Sequence, residues 1–518
     1  MIKVFNFFEK YNKPVVFSGI VLAVLSFFDK KLLAGAILVF FLVFLALFFI
    51  NKIKNEKQKK NISILFLISF FLHIIAVLFV FYGNFQPFSD GRGDYLEYNL
   101  TAIEVANRIA QKNFSLEELP LSHYYPVIVG YIYYFTLPKM IVGELLNAWL
   151  VALTIIFVYL IAKELGRTDK EAFITGLIVN IYPSLAFFGS LMLKEAFVVF
   201  FSTAAILLSL ILIKRFSWLT FALFYFALIG LTHFRFYIGI PLIFVFIVCW
   251  LLFSGFKLKR RIIFGGIMIF LMGFLPMIST VSGFEKGYFG INAILLQLNM
   301  KTIIYYREVA YNFRVDPRFE NIKIIDDTYE KEVNNPPDDN VSPDDNVSPD
   351  ANYSNPEVIK VSEILAQVPE GVPVPDIVTD KDWGQDSSVN IETGADNPIK
   401  FIKNNLISFA NAFFGPFPWQ LRSLKHIFVL PEILLWWVCL FFIARGIIGS
   451  IKNQYKAILP LLLFGIIVVG MISLYMTNFG LVTRIRMPAI VALLCLVPLG
   501  FRKIEKIKIP LLNKFFAE

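Results

Sequence analysis

Residues 62–81 read ISILFLISFFLHIIAVLFVF, and shortly afterwards the chain turns to Ser89-Asp90-Gly91-Arg92-Gly93-Asp94-Tyr95. About 20 apolar residues suffice for a helix to cross the hydrocarbon core, where irregular backbone is not tolerated. The run is therefore read as a membrane-spanning helix that opens at its far end into a charged, glycine-containing loop. The near end follows the basic cluster Lys52–Lys60, which the positive-inside rule assigns to the cytoplasm. Asp90, Arg92, Asp94 and Glu97 are then expected on the outer face.

The rest of the chain repeats this pattern. It is 57% hydrophobic and only 17% charged, more apolar surface than a soluble core can hide, so the class is an all-α polytopic membrane protein. About twelve spans are expected, near 14–28, 32–50, 62–82, 141–162, 171–190, 196–213, 217–233, 236–254, 262–281, 427–447, 456–476 and 487–501. If they alternate, basic clusters 52–60, 163–170, 214–215, 257–261, 452–456 and 502–508 share one side, and both termini are cytoplasmic. The net charge of +9 is thus read as topology, and no nucleic-acid partner is expected. Residues 124–137 hold too few apolar positions between Pro126 and Pro138 to span, and are read as juxtamembrane or re-entrant. Cys249, Cys439 and Cys495 lie singly in apolar runs, which suits packing and neither disulfides nor zinc.

Four segments organise the chain: 1–61, an N-terminal hairpin and basic loop; 62–283, a core whose first outer loop is 83–140; 284–400, a long acidic outer insertion; and 401–518, the C-terminal helices. The insertion centres on the tandem repeat Pro337-Asp338-Asp339-Asn340-Val341-Ser342 and Pro343-Asp344-Asp345-Asn346-Val347-Ser348, too polar to form a core. Its flanks, 303–313 and 358–368, are expected to be helical. Whether the insertion covers a site or only spaces helices stays open.

Under this topology one face collects Asp90, Arg92, Asp94 and Glu97; His123; Lys194-Glu195; His233 and Arg235; and Arg484 and Arg486. Singly, each also fits an interface anchor or a snorkelling side chain. Five segments ending at one level invite a shared role.

In their order these elements resemble the GT-C membrane glycosyltransferases, the superfamily of protein O-mannosyltransferases and aminoarabinose transferases. The resemblance rests on the acidic loop with Asp90 and Asp94-Tyr95, His123-Tyr124-Tyr125-Pro126, the Asn147 helix, the turn 160–166, Tyr182-Pro183, Leu193-Lys194-Glu195, Asn478-Phe479-Gly480 and Thr483-Arg484-Ile485-Arg486-Met487-Pro488. It is best over 62–213. It implies a polyprenyl-phosphate-linked sugar as donor, an extracytoplasmic acceptor, an inverting transfer and a multi-pass protein of the cytoplasmic membrane.

Such a transfer needs a carboxylate to take the acceptor proton and cations to hold the leaving phosphate. Asp94 is the expected base, with Asp90 as alternate; both also suit the N-terminus of a helix over 95–110. Glu195 matches a second family carboxylate that orients donor or acceptor. Arg235, Arg484 and Arg486, seconded by Arg92 and Lys194, are the phosphate candidates, because a guanidinium fork suits phosphate oxygens. Arg484 and Arg486 would diverge by about 200° in a helix, leaving one of them to reach the phosphate. Tyr95, His123 and His233 are candidate substrate contacts. No metal is expected, although oxygen ligands would suit magnesium or manganese and some superfamily members use an Asp-X-Asp element; Asp90 and Asp94 are four residues apart instead. The rival readings are an O-antigen-type polymerase or ligase, which would lean on its arginines more than on the acidic loop, then a lipid-linked transporter or flippase, then a scaffold.

Overall fold

The computed structural model describes residues 30–83, 94–116, 123–273, 397–420, 429–476 and 479–501, with isolated positions between them. These are almost wholly helical. In chain order the helices are α1 (Lys30–Ile50), α2 (Glu56–Gly83), α3 (Asp94–Ala110), α4 (Tyr125–Phe135), α5 (Met140–Glu164), α6 (Asp169–Asn180), α7 (Pro183–Phe188), α8 (Glu195–Lys214), α9 (Trp218–Phe253), α10 (Leu258–Gly273), α11 (Pro398–Phe414), α12 (Leu430–Tyr475), α13 (Phe479–Ile485) and α14 (Met487–Leu494). The insertion contributes one parallel pairing, β1 (Lys323–Ile325) on β2 (Val358–Lys360), so the helix expected over 358–368 does not begin there. The run 14–28, apart from Val24, lies outside the described residues, as do Asp90, Arg92 and the tandem repeat.

Among the described residues five helices are long and apolar enough to cross a membrane, or six if the bent pair α13 and Met487–Gly500 counts as one span. The difference from twelve has local causes. Run 171–190 breaks at Tyr182, held extended ahead of Pro183, because proline disfavours helical backbone in the residue before it. Runs 217–233 and 236–254 join as α9, interrupted at Arg235, and runs 427–447 and 456–476 join as α12, interrupted at Gln454.

Both interruptions are points of reversal. In a straight helix Phe224 and Phe246 would lie about 33 Å apart; their ring centroids are 4.5 Å apart. α9 therefore doubles back at Arg235, and the turn is so close that a Cβ on Gly239 would sit 2.5 Å from Thr232 Cγ2. α12 behaves alike. Its start donates Trp436 Nε1 and Trp437 Nε1 to the carbonyls of Phe413 and Phe414 (2.6 and 3.0 Å), while Met476, just past its end, lines a small cavity with Ser408 and Ala412 of the same short helix.

The basic clusters 163–170, 214–215 and 257–261 and the Gln454 bend meet at one end of the bundle, while 502–508 lies outside the described residues. Lys214 and Arg215 pair with Glu164 (2.9 and 3.2 Å), Lys163 with Asp169 (2.8 Å), and Arg167 reaches the Gln454 bend (3.3 Å). Arg261 donates to the last carbonyls of α9, Leu251 and Leu252 (3.1 and 3.0 Å). Burial would raise the Asp169 carboxyl, but hydrogen bonds from Lys163 and Tyr159 outweigh it and hold the group below its usual range. At the centre α5 is buried along most of its length and packs on α2, α6 and α8.

At the opposite end α3 and α4 form a short helical pair. α3 begins at Asp94, one residue ahead of the expected 95–110, and buries Tyr95, Tyr98, Ala102, Val105, Ala106 and Ile109, one stripe of an amphipathic helix. α4 spans 11 residues, about 16 Å, too short to cross a bilayer. Gly130 lets the two approach, since a Cβ there would lie 2.6 Å from the Val105 side chain.

Helix packing near the C-terminus gives a direct test. A Cβ on Gly500 would stand 2.1 Å from the Phe442 carbonyl oxygen, whereas one on Gly449 meets nothing within 4 Å. Gly500→Ala is expected to cost about 1–3 kcal/mol by overpacking. Gly449→Ala is expected to be neutral to stabilising by up to about 1 kcal/mol, in thermal unfolding of the detergent-solubilised protein.

Candidate functional site

The end opposite the basic clusters carries a network of charges built from four helices. Glu195, the first residue of α8, is almost fully buried, its side chain 3% exposed. Its Oε1 accepts from Arg484 Nε of α13 at 2.7 Å and from Arg235 Nη2 at the α9 reversal. Arg484 Nη2 in turn lies 2.7 Å from Asp94 Oδ2, at the start of α3. Asp94 is the exposed member, with 37% of its side chain accessible against 13% for Arg484. Arg235 also donates to Tyr237 Oη.

Local structure explains each placement. Arg235 has φ −154° and ψ 80°, outside the helical region, because it is the residue at which α9 turns back. Glu195 follows the turn 189–194, which is fixed from within: Asn147 Nδ2 of α5 lies 2.6 and 2.8 Å from the Leu191 and Leu193 carbonyls and 3.0 Å from Tyr125 Oη. A lone amide in an apolar helix thus ties α4 and the approach to α8 to the central helix. Asp94 and Glu195 both occupy first turns, where the helix dipole favours negative charge.

Around this network lie the other predicted residues. Lys194 precedes Glu195; burial first, and then Arg235, pulls its ammonium from the usual lysine range down to about 7, against the opposing pull of Glu195. His123 is buried, and burial followed by Lys194 and Arg235 holds it well below the usual histidine range, hence neutral. Its Nδ1 accepts from Tyr125 N–H at 3.3 Å, which leaves the proton on Nε2, a donor without a partner among the described residues. Its ring meets Tyr98 edge-on at 4.8 Å. His233 Nε2 accepts from Tyr124 N–H at 2.9 Å while its ring stacks on Tyr124 at 5.0 Å. Tyr95 is buried in the first turn of α3.

Asp94, Lys194, Glu195, Arg235 and Arg484 are therefore brought together, with His123 beside them. Arg486 is not. It is 2% exposed and turned to the other side of α13, where Nη1 donates to the carbonyls of Ala412 and Gly415, both at 2.7 Å, and Nη2 lies 3.4 Å from Glu432. Nη1 and Nη2 thus serve protein acceptors away from the network, while Nε has no partner among the described residues. Asp90 and Arg92 lie outside the described residues. Sequence reading also missed Asn147 and Glu432 as polar anchors; each is a polar residue in an apolar run, a signal that names no partner.

Among the described residues no three His, Cys, Asp or Glu side chains group as a metal site, and the two carboxylates here face guanidiniums. Comparison of the chain with protein-family models, curated proteins and solved structures finds no match.

The network makes Glu195 the counter-charge of two nearly buried cations. Glu195→Gln is expected to cost about 3–5 kcal/mol of stability, because it leaves buried guanidiniums without compensation. Denaturant unfolding in micelles measures this; Arg215→Gln, at an exposed pair on the basic end, is expected to cost under about 1 kcal/mol.

Proposed function

We propose that the chain is a membrane glycosyltransferase that moves a sugar from a polyprenyl-phosphate donor to an extracytoplasmic acceptor with inversion at the anomeric carbon. The observation that carries this reading is the bridging Arg484, held between a half-exposed carboxylate, Asp94, and a buried one, Glu195, at the bundle end remote from the basic clusters. By the positive-inside rule that end faces away from the cytoplasm. The sequence resemblance to GT-C enzymes supports the same reading.

The chemistry divides between the two carboxylates. Asp94 is exposed enough to meet an acceptor hydroxyl, and it takes the proton as the acceptor oxygen bonds to the anomeric carbon. The bond from that carbon to the phosphate oxygen breaks, and its electron pair leaves with the lipid phosphate. Arg484, Arg235 and Lys194 neutralise the charge that develops there. A donor phosphate competes with Asp94 for Arg484, which frees the carboxylate for its role as base. Glu195, buried and engaged through Oε1 by two guanidiniums, positions those cations. His123 Nε2–H is a further donor for sugar or phosphate oxygens.

Transfer of radiolabelled sugar from a panel of polyprenyl-phosphate donors, in liposomes, tests the reading. Asp94→Asn is expected to lower turnover by about 10²–10⁴, the usual contribution of a general base, while inserting and purifying normally. No wild-type turnover with any monosaccharide donor moves the assignment to the polymerase or ligase. Equal turnover in wild type and variant moves the base to Asp90.

Lys194 adds a pH dependence. A sugar phosphodiester carries one negative charge throughout the neutral range, so titration of Lys194 governs the change. The ammonium is charged below about 7 and lost above it. Donor affinity is expected to be greatest below that pH and to fall by up to about tenfold per pH unit as pH rises above it. Lys194→Arg is expected to flatten the profile, as read by donor binding between acid and alkaline buffers.

A further inference from the structure

We propose that the buried pair Glu432–Arg486 is a positioning device that fixes Arg484 for the donor phosphate. This rests on the transfer reading above. The pair lies behind α13, on the side away from the charge network, and both members are nearly inaccessible at 3% and 2% exposure.

The need for such a device follows from α13 itself. It has seven residues, of which only Val482 and Ile485 are buried, so apolar packing does little to set its rotation about its own axis. It also ends at a 52° bend into the next helical segment, with Arg486 at the joint as the N-cap of α14. Arg484 and Arg486 are two positions apart and project on opposite sides, about 200° around the helix. Turning one turns the other.

Arg486 is held from three directions. Nη1 bonds the carbonyls of Ala412 and Gly415, the last turn and the cap of α11, and Nη2 meets Glu432 Oε1 at 3.4 Å. Glu432 is fixed in turn through its other oxygen, which accepts from the Ser184 backbone N–H at 2.9 Å and from the Ser184 hydroxyl. The first turns of α7 and α12 and the C-terminus of α11 thereby grip the joint of α13. Arg484, on the opposite side, is presented to Asp94 and Glu195 at 2.7 Å each. Glu432 touches none of the groups assigned to the reaction; it acts through Arg486 and the helix.

The full-length protein with Glu432→Gln, and the milder Ser184→Ala, tests this. Because Arg484 binds the donor phosphate and also neutralises the charge that develops on it, the donor KM is expected to rise about tenfold in Glu432→Gln and about threefold in Ser184→Ala, with kcat falling alongside and acceptor KM unmoved. A merely structural role would lower kcat by reducing the folded fraction and leave donor KM unchanged, and that result overturns the proposal. A second readout needs no turnover: the Tm losses of Glu432→Gln and Arg484→Lys, which do not touch, are expected to be less than additive in the double variant. If wild type transfers no sugar from any polyprenyl phosphate, the transfer reading falls and the Tm cycle alone decides: non-additive losses keep Arg484 positioned by Glu432, and additive losses end the proposal.

Discussion

The interaction on which the site depends is the carboxylate of Glu195 shared by two guanidiniums at the end of an apolar bundle. Arg235 and Arg484 arrive from helices far apart in sequence, and neither could be buried there without a negative partner, since an uncompensated charge in a low-dielectric setting is costly. Three elements must therefore end together: the first turn of α8, the reversal of α9 and the short α13. Each is irregular at that point. The irregularity is confined to one end of the bundle, where α8 begins and α9 reverses.

A second layer of polar contacts holds these irregular elements in place. Asn147 fixes the turn before Glu195, and Arg486 with Glu432 fixes the joint after Arg484. Both anchors work by the same means, a side chain that satisfies backbone carbonyls left open where helices stop. The result is a rigid wall of cations with one exposed carboxylate at its edge. Such preorganisation suits a reaction in which charge moves onto a phosphate, because the donors need not reorient as it develops.

The two ends of the bundle differ in the way they use charge. At the basic end the pairs are partly exposed and join loops, as Lys214 and Arg215 do with Glu164, so each contributes little on its own. At the other end the charges are few, buried and interlocked. Lys194 loses proton affinity there because burial and Arg235 oppose its charge, which makes this end responsive to pH near neutrality and to an arriving anion.

By itself the sequence determined the class, an apolar chain of helices with its basic loops on one side, because hydropathy and the placement of Lys and Arg follow directly from the bilayer. It also located the polar face, α3 to within a residue, the short non-spanning α4, and the breaks at Arg235 and Gln454 as gaps between apolar runs. Tertiary structure alone decided which polar residues meet. The sequence gives Arg484 and Arg486 equal standing, and only the rotation of α13 sends one to Asp94 and Glu195 and the other to Glu432. The partners of Asn147 and Glu432 were illegible for the same reason: a polar residue in an apolar run signals a buried partner, but the partner lies on a distant segment, and one-dimensional spacing carries no information about it.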